Sequence, residues 1–198
     1  MTTDRLATDD PQPATCNFHV RPATPTDIPN ILSFIRELAE YEREPASAIA
    51  AEADLLRDGF GPTPRFHALI AEWRQDNTAA TPLRTTESEE RTTQAAPAGF
   101  ALYFYNYSTW RGHAGIYIED LFVRPAFRGR GIGKALLSAV AAIAVADGCP
   151  RLEWAVLDWN TPAIDFYESF GALPMSEWTT MRLSGDALRA LAAARPDR

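Results

Sequence analysis

Hydrophobic and polar positions along this chain follow two rhythms, and the switches between them mark its elements. Phe18-His19-Val20-Arg21 alternates with a period of two and predicts a short strand. Residues 24–27 (Thr-Pro-Thr-Asp) carry helix-start chemistry. Ile28, Ile31, Leu32, Ile35 and Leu38 then recur at helical spacing and predict an amphipathic helix to about residue 43. A second helix is expected over 48–57, ended by Gly59-Phe60-Gly61-Pro62, and a strand over 66–73. Strands follow at 99–107, rich in aromatics, and at 115–123. Residues 132–146 form a helix with Ile132, Leu136, Val140 and Ile143 on one face. A buried-type strand at 152–157, a short helix at 161–170 stopped by Gly171, a last strand at 179–183 and a terminal helix at 186–194 complete the series. This order describes one mixed α/β layer without internal repeats.

Two stretches lack either rhythm. Residues 1–16 are polar and proline-bearing and read as a disordered tail. In 75–97 Leu83 is the one large apolar side chain, and such a segment buries too little surface to offset its ordering entropy. It reads as a low-complexity insertion in a hairpin connection, leaving one domain over 17–194.

Composition narrows the function classes. An apolar content of 46% suits a soluble fold with one sizeable core. A net charge of −7 argues against broad binding to nucleic acid or anionic membrane. No apolar run approaches a membrane span, and the first residues lack the basic flank and apolar stretch of a signal peptide. Cys16 and Cys149 have neither disulfide-framework nor metal spacing, so a reducing, cytoplasmic setting is expected. His19, His67 and His113 are scattered, and no metal site is expected.

The most informative stretch is Val123-Arg124-Pro125-Ala126-Phe127-Arg128-Gly129-Arg130-Gly131-Ile132-Gly133-Lys134, between a strand and the start of an amphipathic helix. Glycines let backbone approach a ligand, and orphan amides with the helix dipole make an anion site. Arg128, Arg130 and Lys134 add positive charge, so a pyrophosphate is the natural guest. A dinucleotide fingerprint needs a third glycine where Lys134 stands. A P-loop needs glycine at Arg128 and Ser or Thr at Ala135.

What remains is Arg-x-x-Gly-x-Gly at positions 128, 131 and 133, and here the chain resembles the GNAT acetyltransferases. The similarity runs from Val20 to about Leu191 and points to the diamine acetyltransferase branch. It is carried by Arg21-Pro22-Ala23, residues 37–42, Asp58-Gly59-Phe60-Gly61, residues 117–123, Trp159-Asn160-Thr161-Pro162 and Phe166-Tyr167. Ser108-Thr109-Trp110 and residues 155–160 look more like the thialysine acetyltransferases, since polyamine enzymes tend to carry an acidic residue where Ser108 stands. The resemblance implies an α/β GNAT fold: a single mixed, mostly antiparallel, twisted sheet flanked by helices. It also implies a homodimer with acetyl-coenzyme A as cosubstrate and a small-molecule amine as acceptor. Polyamine acetylation, protein lysine or N-terminal acetylation, and a non-enzymatic coenzyme A sensor stand as alternatives.

Acetyl transfer needs a neutral amine, stabilisation of an oxyanion and a proton for the departing thiolate. Glu119, just before the loop, is expected to be the general base, as the family match suggests. In a regular strand Asp120 faces the other way; it either holds structure or, from a bulge, helps attract substrate. The resemblance gives Tyr167 the role of acid, and its phenol has a basicity close to that of a thiolate. Leu121, Phe122 and Val123 are implied to bond the pantetheine arm through their backbone. Residues 128–134 (Arg128, Gly129, Arg130, Gly131, Ile132, Gly133, Lys134) hold pyrophosphate, with Ala163 and Tyr167 also beside the cofactor. Asn160 reads as a helix cap or a pantetheine contact. Tyr41, Glu42, Trp110, Glu119, Asp120 and Trp154 form the expected amine pocket, where carboxylates and aromatic faces suit an ammonium; Trp110 and Trp154 equally fit a packing role.

Overall fold

The computed structural model describes residues 17–74 and 95–195, so the 1–16 tail and most of the 75–97 insertion lie outside the described residues. The chain forms two compact units, one ending at Ala155 and one beginning at Val156.

The first unit is built on one sheet of five strands in the order β1 (Phe18–Pro22), β2 (His67–Arg74), β3 (Ala95–Ser108), β4 (His113–Val123) and β5 (Leu152–Trp154). The first three pairings are antiparallel and the last is parallel. The α/β class and the mixed, mostly antiparallel sheet are as expected. β3 begins at Ala95, so residues 95–97 pair with β2 and do not belong to the insertion.

Both faces of the sheet are covered, and the strand sequences show why. Ile70, Phe100 and Leu102 point to one face, where Ile31, Leu32 and Phe34 of α1 (Ile28–Tyr41) and Leu55 of α2 (Glu52–Phe60) complete the core. Phe34 stacks on Phe100 at 5.2 Å between centroids. Leu69, Ala71, Ala101 and Tyr103 alternate with that set and point the other way, toward α3 (Ile132–Ala146). α3 buries Ile132, Leu136, Leu137, Val140 and Ala144. Full burial of side chains such as Phe34 or Ile70 contributes roughly 1.5–3 kcal/mol each. Helix-start chemistry at residues 24–27 is present. Asp27 accepts from the Thr24 amide at 2.8 Å and is clamped by Arg21 at 2.7 and 2.8 Å, which holds its pKa down at about 2.

The second unit holds α4 (Thr161–Glu168) and α5 (Gly185–Ala193). Phe166 packs edge-on against Tyr167 and Phe170, and Gly171 (φ 85°) ends the turn after α4. The strand expected at 179–183 does not form. A strand needs a neighbour to satisfy its backbone groups, and no other strand exists among the described residues of this unit. Met181 there is 87% exposed. β5 likewise stops at Trp154 rather than at residue 157.

Candidate active site

β4 changes phase in mid-course. Tyr103 pairs with Ile118 and Leu102 with Asp120, so Glu119 is an extra residue with no partner across the strand. This is a β-bulge, so of the two cases expected for Asp120 the regular alternation does not hold and the bulge does. Ile118 shares the α3 face with Tyr103. Asp120 shares the α1 face with Leu102 and Phe122. The ladder to β5 ends at the same point: Ile116, Tyr117 and Ile118 pair with Leu152, Glu153 and Trp154, and no pair follows. From Glu119 to Val123 the β5-facing edge of β4 therefore lacks a ladder partner in this unit. Leu121, Phe122 and Val123, expected to bond an amide-bearing ligand through their backbone, occupy that edge.

Glu119 is exposed and Asp120 is half-buried. Burial, then the negative charges of Glu119 and Glu42, push the Asp120 carboxyl up to about 7. Glu42, which caps the end of α1, is itself raised by burial. Three carboxylates from α1 and β4 thus lie within electrostatic reach of one another. Tyr41 closes α1 beside them. The chain leaves this helix end through Arg43, whose φ of 66° is unusual for a non-glycine residue. Its amide donates to Glu40 O at 3.1 Å and that of Glu44 to Ala39 O at 2.9 Å, a Schellman closure that ordinarily takes glycine.

After β4 the chain turns through Pro125–Phe127, and Gly129 (φ 73°) and Gly131 (φ 82°) adopt left-handed backbone. Gly131 is the N-cap of α3. Nothing lies within 4 Å of the direction a side chain would take at either glycine, so the loop is open above its backbone. The first-turn amides of α3, at Ile132 and Gly133, have no helical acceptor. An open cradle of amides at a helix N-terminus fits a pyrophosphate. Arg128 donates Nε–H to Val123 O at 2.9 Å, and its guanidinium lies 4.9 Å from the Tyr41 ring centroid and 5.7 Å from that of Phe122. Arg130 lies 4.5 Å over Trp73. Lys134 is exposed on the first turn of α3. The loop arginines are thus already seated on aromatic faces, with this loop directly against the Tyr41 end of α1.

The remaining expected residues lie on β5, on the β3–β4 turn and on α4. Trp154 is half-buried on β5 opposite Ile118, next to the bulge. Trp110 lies in the β3–β4 turn, 87% exposed, about 20 Å along β4 from Glu119 at the rise of a strand. Ser108, at the start of that turn, is buried and accepts the Arg111 amide at 3.3 Å. In the second unit Asn160 holds the N-cap of α4 but makes no side-chain capping bond. Its carbonyl accepts the amides of Ala163 and Ile164 at 3.0 Å each. Tyr167 is half-buried on the same helix. Among the described residues no group of His, Cys, Asp and Glu side chains could hold a metal. Sequence reasoning gave no role to Glu37 or Arg124, which pair beside the loop; the available signal was Glu37 lying one helical turn before Tyr41.

The acetyltransferase (GNAT) family matches residues 37–172. A thialysine N-epsilon-acetyltransferase of Bos taurus is 40% identical over 176 residues, covering 87% of this chain and 96% of its own. An L-ornithine N5-acetyltransferase of Arabidopsis thaliana is 36% identical over 197 residues, covering 87% and 86%. Among solved structures, an integron cassette protein from the mobile metagenome of V. cholerae superposes with a TM-score of 0.66 at 25% identity, covering 90% of this chain and 99% of its own.

Proposed function

From the premise that the chain belongs to the acetyltransferase (GNAT) family, we infer that it moves the acetyl group of acetyl-coenzyme A onto the primary amine of a small molecule. The observation that carries this reading is the break at the bulge. One irregularity opens the β4 edge and turns a carboxylate onto the α1 face, and the strand then runs directly into an amide-lined loop.

Acetyl-coenzyme A supplies the activated acyl group as a thioester. The chain's own residues do the rest. Amides of Gly129 to Gly133, with Arg128, Arg130 and Lys134, hold the pyrophosphate. The open edge at Leu121 to Val123 aligns the pantetheine arm; a part for Asn160 and Ala163 beside the cofactor rests on the family resemblance. Glu42, Asp120 and Glu119 draw in an ammonium, and the Tyr41 ring offers it a π face. Glu119 takes the proton that the ammonium must lose before it can attack. Tyr167 returns a proton to the thiolate; this role rests on the family resemblance.

A thialysine-like amino acid or short diamine suits the site better than a long polyamine. Ser108 is buried and engaged with its own turn, so that position offers no negative charge to a distant ammonium. We also assign the protein to the cytoplasm, as a homodimer in which the hairpin tip carrying Tyr107 and Trp110 meets a second copy. The exposure of both rings supports that contact. A thiol-release assay with thialysine, ornithine, short diamines and spermidine tests the reaction. Turnover is expected with the first three classes and little with spermidine. Acetyl-coenzyme A binding without thiol release on any amine would leave a sensor and overturn the enzyme reading.

A further inference from the structure

Arg124 is the first residue after β4 and the last before the glycine-rich loop, and each of its guanidinium nitrogens is bonded within the protein. Its Nε lies 3.0 Å from both oxygens of Glu37, and Nη2 lies 2.7 Å from Glu37 Oε1 and 3.2 Å from Ser33 Oγ. Nη1 donates to Pro97 O at 2.8 Å, and its own amide donates to Ala98 O at 2.9 Å. The guanidinium lies 4.6 Å over the Phe34 ring. Ser33 Oγ donates to Glu37 Oε1 at 2.8 Å, which fixes the carboxylate from the helix side. Arg124, then Ser33, holds the Glu37 carboxyl below its ordinary pKa.

The register of this contact extends into the active site. Ser33, Glu37 and Tyr41 fall at i, i+4 and i+8 and so share one stripe of α1. Arg124 and Arg128 are also four apart, and they meet Glu37 and Tyr41 in turn. The loop is thus seated on the same helix stripe whose end supplies Tyr41 and Glu42.

We infer that Arg124, through Glu37, is a positioning residue that fixes the cofactor loop against α1, so that the pyrophosphate cradle and the amine-binding end of that helix keep one geometry. The inference rests on the loop binding coenzyme A. It differs from simple charge attraction, because each guanidinium nitrogen of Arg124 is engaged by Glu37, Ser33 or Pro97 inside the protein. A bidentate fork over an aromatic ring is a geometry lysine does not reproduce.

The two explanations predict opposite signs for Glu37→Gln. Removing a negative charge beside an anion site strengthens binding if charge alone matters. If positioning matters, the loosened fork weakens it. Calorimetric titration of wild type, Glu37→Gln and Arg124→Lys with coenzyme A should show weakening in both variants by roughly 2- to 30-fold, the range of couplings carried by side-chain networks. The KM for thialysine should rise in the same variants while kcat stays at the wild-type value. A purely structural defect would instead lower melting temperature and the active fraction, and leave the affinity of folded protein unchanged. Coenzyme A binding by Glu37→Gln that equals or exceeds wild type overturns the proposal, and so does full recovery of affinity in Arg124→Lys. Glu37→Gln keeps the Pro97, Ser33 and Phe34 contacts of Arg124 and so decides the matter even where Arg124→Lys folds poorly. Wild type that fails to bind coenzyme A at all removes the assigned function instead, a result distinct from either.

Discussion

Replacing Asp120 by asparagine isolates the energetic consequence of turning a carboxylate onto an apolar face. In the folded protein the carboxyl titrates at about 7, against 3.8 in the unfolded chain. The native state therefore binds this proton more tightly than the unfolded state does. Between the two values the folded chain is protonated and the unfolded chain ionised, so stability falls as pH rises through that window. The contribution is fully present below pH 3.8 and lost above 7. At 1.36 kcal/mol per unit the whole shift corresponds to about 4 kcal/mol, of which about 2.5 falls between pH 5 and pH 8. Asparagine keeps the shape and lacks the titration. Asp120→Asn should thus gain stability relative to wild type as pH rises, by roughly 5–10 °C in melting temperature from pH 5 to pH 8 for a domain of this size. Thermal melts of both proteins over that range provide the test, with coenzyme A omitted because ligand binding moves the midpoint. Parallel stability curves for the two proteins would mean that Asp120 is solvated in the native state, and its placement on the α1 face would be wrong. A bound ammonium offsets the same penalty by favouring the charged form, which is why such a group belongs in an amine site.

Three further outcomes follow from the site geometry. Gly131→Asp should abolish coenzyme A binding in calorimetry while the protein stays folded: the added carboxylate opposes pyrophosphate, and aspartate tolerates left-handed backbone in open space. Wild-type affinity in a folded Gly131→Asp protein would move the pyrophosphate elsewhere. Tyr167→Phe should lower single-turnover rates by roughly 10²–10⁴-fold with little change in coenzyme A affinity; an unchanged single-turnover rate would leave the ring a packing role only. Arg43→Gly should raise stability by about 1 kcal/mol in denaturant titration, because glycine occupies the left-handed closure of α1 without steric cost. A loss of stability there would show that the arginine side chain outweighs its backbone strain.

How much of this was legible in the sequence depends on the range of the interaction involved. α1 and α3 were readable because their apolar stripes repeat at helical spacing. The loop was readable because its glycines and arginines are contiguous. The insertion boundary was misplaced by the three residues 95–97: Ala95, Ala96 and Pro97 look like linker, yet they pair with Arg74, Trp73 and Glu72. The strand expected at 179–183 has the right alternation but no partner among the described residues of its unit, and alternation alone does not make a ladder. Arg124 and Glu37 are separated by 87 positions, and no local pattern announces their pairing.

The bulge at Glu119 shows why the site itself was harder to read than its parts. In a regular β4, Glu119 and Asp120 would face opposite sides of the sheet, and one of them would sit outside any common pocket. One unpaired residue resolves this by shifting the phase. Ile118 stays on the α3 face, Asp120 joins Leu102 and Phe122 on the α1 face, and Glu119 is left at the break. The ladder with β5 ends at the same point, so on that side the backbone groups of Leu121 to Val123 have no ladder partner among the described residues of this unit. Removing the extra residue would keep Asp120 opposite Leu102 on the α1 face, but would make the strand regular and let the ladder with β5 continue along Leu121 to Val123. Deleting Glu119 outright is therefore a different perturbation from Glu119→Gln. The substitution removes a base and keeps the pocket. The deletion also restores the register and should abolish coenzyme A binding along with turnover. A deletion variant that still bound coenzyme A normally would show that the open edge does not depend on the bulge.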